Sequence, residues 1–167
     1  MIIVYTDGSN VFNGKPWSYG GYGYTIEYSG LKYENGQMLL PNLNEPVTNN
    51  RAELLAILDA LEILISIGIK KETIKLYSDS QWCIKCAMGE WKRKKNKDLW
   101  DRFIQIKHKL RLKGNRLVFE WVKGHNGNEG NERVDYLASM YRDQAKPSSE
   151  QLNELKCIYH QNMPTIA

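Results

Sequence analysis

Four carboxylates stand where the chain changes its local character. Asp7, in Tyr5-Thr6-Asp7-Gly8, closes an apolar β-prone run, and Asp79, in Ser78-Asp79-Ser80, closes another. Glu53 and Asp135 fall in the first turns of two helical stretches, where the helix dipole favours negative charge. Taken singly, each has an ordinary explanation. Asp7 shapes a turn, Asp79 caps a helix, Glu53 is an early-helix acid and Asp135 a surface acid. Brought together, the four would repel one another unless divalent cations neutralised them. Hard oxygen donors select magnesium, with manganese able to substitute. Two such ions side by side stabilise the attacking and leaving oxygens of a phosphodiester displacement.

These residues can meet only if the intervening elements place them at one end of a sheet. Residues 2–6 read as a buried strand stopping at Asp7. The four glycines, one proline and polar residues of 10–23 predict a loop, followed by strands over 22–28 and 31–40 joined at Ser29-Gly30. Residues 41–47 make a polar connection, and Thr48 or Asn49 is the expected N-cap. Leu54, Ile57, Leu58, Leu61, Leu64 and Ile65 recur at helical spacing up to Gly68. A strand is then predicted over 73–77, a helix over 80–89, a basic link over 90–97, a helix over 98–112 and a strand over 117–122. A glycine-rich loop over 123–131 and a helix over 132–144 follow. The order β-β-β-α-β-α-α-β-α implies a mixed five-stranded α/β sheet, three antiparallel strands plus parallel ones, with helices on both faces. In such sheets ligands gather beyond the carboxyl ends of parallel strands, where Asp7 and Asp79 sit. From Pro147 the chain forms a separate tail. There Ser148 and Gln151 resemble a capping box, and Leu152, Leu155 and Ile158 could line one side of a short helix.

Composition narrows the class. The 167 residues are 42% hydrophobic and 25% charged, which excludes bulk disorder. No apolar run approaches the ~20 residues that span a bilayer, so no membrane association is expected. No secretory signal is visible, and three cysteines are too few for a disulfide framework, so an intracellular, cytoplasmic setting is expected. Net charge is +4, but residues 85–116 hold twelve Lys/Arg against three Asp/Glu, while the rest is acidic. One basic segment on an acidic protein points to a polyanion at one face, the alternative being a solvated helix face. Cys83 and Cys86 read as helix-face residues, and Trp82, Trp100 and Trp121 as packing aromatics.

Four blocks recur in order: Tyr5-Thr6-Asp7-Gly8-Ser9, Thr48-Asn49-Asn50-Arg51-Ala52-Glu53-Leu54, Ser78-Asp79-Ser80-Gln81, and Val122-Lys123-Gly124-His125 running to Gly130-Asn131-Glu132-Arg133-Val134-Asp135. Together they resemble type 1 ribonuclease H over about residues 1–143. The resemblance implies a ribonuclease H-like fold, with a catalytic domain over 1–145 and the tail over 146–167. It implies that Asp7, Glu53, Asp79 and Asp135 bind two magnesium ions per site, and that His125 assists proton transfer or product release. It further implies that Asn13, Asn49 and Asn50 read the minor groove of an RNA–DNA hybrid, with Thr48 left from a phosphate pocket. Gly20, Gly21 and Gly23 resemble the family's close-approach backbone. The implied reaction is endonucleolytic hydrolysis of the hybrid's RNA strand, leaving 5′-phosphate and 3′-hydroxyl ends, by a protein expected to be monomeric.

Two departures from the family pattern stand out. The long basic protrusion of many members is reduced to Trp91, Lys92, Arg93, Lys94, Lys95 and Lys97, with Trp91 one residue farther from Asp79 than the family's tryptophan. The Arg that many members place two residues before the threonine is here Pro46. The competing readings are a catalytically silent nucleic-acid-binding module and a DNA-cutting relative such as a resolvase or integrase. The intact carboxylates argue against the first, and the TNN-R-x-E block with the histidine loop against the second.

Overall fold

In the computed structural model, which describes residues 1–162, the alternation of Ile2 and Val4 with Ile3 and Tyr5 sends alternate side chains to opposite faces of a central strand. That strand, β1 (Ile2–Val11), pairs antiparallel with β2 (Tyr19–Tyr28), which pairs antiparallel with β3 (Leu31–Leu39). On its other side β1 pairs parallel with β4 (Thr73–Ser78), and β4 with β5 (Arg116–Trp121). The five-stranded order is β3-β2-β1-β4-β5, the mixed sheet expected for a ribonuclease H-like fold.

Helix α1 (Asn49–Ser66) lies on one face, where it packs against β1, β2 and α3 (Lys97–Leu112). Thr48 is its N-cap, the hydroxyl accepting the Arg51 N–H at 3.1 Å, an interaction worth ~1 kcal/mol. Short α2 (Gln81–Ala87) is capped by Ser80 and packs against β4, β5 and α1. Ile2, Val4, Leu54, Ile57, Leu58, Leu61, Ile74, Leu76 and Phe103 fill the interior with no exposed surface. Trp100 and Trp82 also pack here, with ring centroids 5.8 Å apart. Cys83 and Cys86 are buried in the same core, and burial pushes both thiols up, which suits a packing role.

Helix α4 (Glu129–Gln144) covers β1, β2 and β3 on the opposite face. Here the ends of the segment predicted as a loop prove to be strand, and only residues 12–18 form the turn. β1 does not stop at Asp7 but continues to Val11, because β2 begins at Tyr19 and pairs with it through Asp7↔Gly23 and Val11↔Tyr19. Gly21 and Gly23 lie inside β2 because α4 rests directly on it. A Cβ on Gly21 would sit 2.3 Å from the Arg142 nitrogen, and one on Gly23 2.5 Å from Leu137 Cβ. The close approach at these glycines is therefore to a helix of the same chain. Helix α4 also begins three residues earlier than expected, since Asn128 caps it by accepting the Asn131 N–H at 2.9 Å.

The tail contains α5 (Ser149–Gln161), opened by the expected capping box: Ser148 Oγ accepts the Gln151 N–H, and Gln151 Oε1 accepts the Ser148 N–H. Leu152 and Leu155 are half-buried, while Ile158 is exposed. The last five residues of the tail lie outside the described residues. Among the described residues no helix is long and apolar enough to cross a membrane.

Candidate active site

The parallel register of β1 and β4 sets the first pair of acids. Tyr5 pairs with Tyr77, and their rings stack at 4.9 Å. Two residues farther along come Asp7, still inside β1, and Asp79, just past the end of β4, the next positions of like facing on neighbouring strands ~4.8 Å apart. Glu53 joins them because Gly8 lets α1 press onto β1. A Cβ on Gly8 would lie 2.5 Å from the Glu53 nitrogen. One carboxylate oxygen from each of Asp7, Glu53 and Asp79 lies within 4.8 Å of the others. Asp135 is not in this tight group. It sits in the second turn of α4, which starts at Glu129, among the first turns expected to carry it. Its charge still reaches both Asp7 and Asp79, raising the pKa of each.

The electrostatics are those of a cation site. Burial, then the charge of Asp79, pushes Asp7 up to about 7, although the Gly8 N–H donates to its Oδ1 at 2.9 Å. Burial and the adjacent Asp7 hold the Glu53 carboxyl well above the usual carboxylate range. Burial also raises Asp79, against an opposing pull from the Asn131 amide. Glu53 Oε2 is buried without a hydrogen-bond partner. An orphaned buried oxygen beside two more carboxylates is costly unless it faces a cation. The donor set fits a divalent ion that prefers oxygen.

Three further residues shape this end of the sheet and were not assigned to it from sequence. Trp121 was expected to be a core or helix-packing aromatic. It is instead 46% exposed, because it ends β5 at the sheet rim, and its indole N–H donates to the Asp79 carbonyl at 3.1 Å. Asn131 is buried and faces Asp79, four residues before Asp135 on α4; that i, i+4 spacing was the available signal. Gly124 lets the loop carrying His125 touch Asp79, since a Cβ there would meet Asp79 Oδ2 at 2.8 Å. His125 is exposed, in the left-handed region at φ 54°, close enough for its charge to lower the Asp79 pKa.

Beside the acids, Asn13, Thr48, Asn49 and Asn50 come together at the start of α1. The Asn49 N–H donates to Asn13 Oδ1 at 2.7 Å, and Asn10 Nδ2 donates to the same oxygen at 3.0 Å. Two donors on Oδ1 fix the Asn13 amide, leaving its own N–H groups outward. The basic link divides. Trp91, Lys92, Lys94, Lys95 and Lys97 are exposed. Arg93 turns inward: it donates to the Cys86 and Ala87 carbonyls at 2.9 and 3.2 Å, and its guanidinium lies 4.9 Å from the Trp100 ring centroid. Arg51 ties the far end of the link to α1 through Asp98 at 2.7 Å and Asn96 at 3.2 Å.

A family model described as RNase H matches residues 1–143. Ribonuclease HI of Helicobacter pylori is 37% identical over 147 residues, covering 83% of this chain and 91% of that protein. Ribonuclease H of a Sulfurovum species is 34% identical over 161 residues, covering 89% and 95%. Among solved structures, LC11-RNase H1 in complex with RNA/DNA hybrid aligns with a TM-score of 0.67 at 28% identity, covering 87% of this chain and 99% of that one. The RNase H1 of Halobacterium salinarum aligns with a TM-score of 0.65 at 27% identity, covering 86% and 98%. With the family model spanning residues 1–143 and relatives above 30% identity covered over most of both chains, the chain belongs to the ribonuclease H family, as a type 1 member.

Proposed function

We propose that the chain is an endoribonuclease that hydrolyses the RNA strand of RNA–DNA hybrids, through a catalytic unit over residues 1–145. The observation that carries this reading is the close group of Asp7, Glu53 and Asp79, with the orphaned Glu53 oxygen inside it. Together with Asp135 these residues would hold two magnesium ions, or manganese in their place. Such ions, when bound, supply activation of the attacking water and charge neutralisation at the leaving oxygen. Water adds to phosphorus, the bond from phosphorus to the 3′ oxygen breaks, and the products are a 5′-phosphate and a 3′-hydroxyl. His125, on its exposed loop beside Asp79, eases the proton or the product away.

The remaining residues select and hold the duplex. An A-like hybrid presents a wide, shallow minor groove with 2′-hydroxyls and base acceptors. The outward N–H groups of Asn13 and the amides of Asn49 and Asn50 at the start of α1 suit those groups. Thr48 Oγ1 accepts its cap bond from the Arg51 N–H, which leaves the hydroxyl hydrogen free to donate to a phosphate oxygen. Trp91 and the exposed lysines Lys92, Lys94, Lys95 and Lys97 supply a stacking surface and sequence-independent attraction. The protein is proposed to act as a cytoplasmic monomer.

The direct test incubates end-labelled RNA–DNA hybrid, double-stranded RNA and double-stranded DNA with the protein, in magnesium and in EDTA. Internal cuts in the hybrid's RNA strand, with magnesium only, are expected. Cleavage of double-stranded DNA instead, or cleavage surviving EDTA, would overturn the reading.

A further inference from the structure

The β1–β2 turn carries Asn13 at one end and Trp17 at the other. Its backbone is sharply bent, with Phe12 at φ 61° and Gly14 at φ 77°, and the Lys15 N–H and Ser18 N–H donating back to the Phe12 and Lys15 carbonyls. A non-glycine residue at positive φ is held there at a cost and persists only where its surroundings enforce it. One anchor is visible on the Asn13 side. Gly14 N–H and Asn10 Nδ2 both donate to the Val47 carbonyl at 3.3 Å. The second anchor comes from outside the segment shared with the family model. Trp17 meets Tyr159 edge-on at 5.8 Å and His160 at 6.4 Å, and Lys156 Nζ lies 5.3 Å from its ring centroid.

Lys156, Tyr159 and His160 are spaced i, i+3 and i+4, so they form one face of α5. No residue of α5 is fully buried, so the grip on Trp17 is a principal attachment of that helix. We propose that α5 is a clamp on the β1–β2 turn and that Trp17 is a positioning residue, holding Asn13 ready for the hybrid's minor groove. This rests on the reading of Asn13 as a groove-facing donor. Only three residues separate Asn13 from Trp17, so fixing both ends leaves the turn little freedom. A turn ordered in advance avoids the cost of ordering it on binding. The clamp therefore acts on substrate binding and leaves the chemical step alone.

The test uses the full chain with Trp17→Ala, Trp17→Phe, the α5 pair Tyr159→Ser with His160→Ser, and Asn13→Ala alone and combined with Trp17→Ala. Two readouts are needed: kcat and KM for hybrid cleavage in magnesium, and hybrid binding by fluorescence anisotropy in EDTA. Removing one aromatic partner is expected to raise KM and weaken binding by about five- to tenfold, with kcat unchanged. Trp17→Phe should restore most of the affinity. The α5 pair should reproduce the defect even if Trp17→Ala melts early. In the Asn13→Ala background, Trp17→Ala should add nothing. Affinity within twofold of the parent protein for both Trp17→Ala and the α5 pair, or full additivity with Asn13→Ala, would refute the clamp. Failure of the parent protein itself to cut or bind hybrid would instead refute the proposed function, and that shows in the parent arm alone.

Discussion

Replacing Asp7 by Asn should stabilise the metal-free protein while destroying its cleavage of hybrid. Asp7 is 4% exposed, and burial with the neighbouring Asp79 lifts its pKa from 3.8 to about 7. A carboxyl whose folded pKa is raised contributes stability below its unfolded pKa, and loses it as pH rises through the folded value. The window is therefore pH ~4 to ~7, with stability falling as pH rises. At 1.36 kcal/mol per unit, the rise corresponds to on the order of 4 kcal/mol lost by pH 8. Asn keeps an oxygen to accept the Gly8 N–H and carries no charge, so the variant should escape most of this loss. For a chain of this size each kcal/mol moves Tm by ~2–4 °C. Metal-free Asp7→Asn should then melt ~5–15 °C above the parent protein at pH 8, with the gap shrinking toward zero near pH 4. Thermal melts followed by circular dichroism in EDTA across pH 4–8 measure this. Magnesium should raise the parent's Tm and leave the variant's almost unchanged. A metal-free variant melting below the parent at pH 8, or a gap independent of pH, would show that the acids do not converge as described.

His125→Ala should slow turnover by about ten- to a hundredfold without abolishing it, measured as kcat at saturating magnesium, because a loop histidine assists rather than carries the displacement. Replacing Lys92, Lys94 and Lys95 by Ser should raise KM and flatten the slope of log K against log salt by ~0.9 for each phosphate no longer neutralised, with kcat and Tm preserved. Arg93→Ala should behave oppositely, lowering Tm with little change in salt slope, because its guanidinium holds the end of α2 and the face of Trp100. Gly21→Val should cost ~3 kcal/mol or more, read from a denaturant midpoint, since its Cβ meets helix backbone that cannot move aside.

The sequence by itself determined the order of elements, the amphipathic helix from the start of α1 to Gly68, an N-cap at Thr48 or Asn49 and the Ser148 capping box. These are local: each depends on residues a turn or less apart, so spacing alone reveals them. The four acids were also legible, because their blocks keep order and spacing along the chain. Tertiary structure decided the rest. Gly21 and Gly23 look like loop residues until α4 lies across them, and a strand that must admit a helix backbone can carry no side chain there. Asp135, legible as one of four acids, stands outside the tight group of three, a separation set by how α4 rests on β1 and β2. Arg93 sits among lysines in sequence, yet only it finds both the carbonyls that end α2 and an aromatic face within reach. Trp121 and Asn131 act on Asp79 across forty-two and fifty-two residues of chain, and Tyr159 reaches Trp17 across more than a hundred. The first two arise because parallel crossovers return β4 and β5 beside β1, and the third because α5 folds back onto the β1–β2 turn, relations that no local spacing encodes.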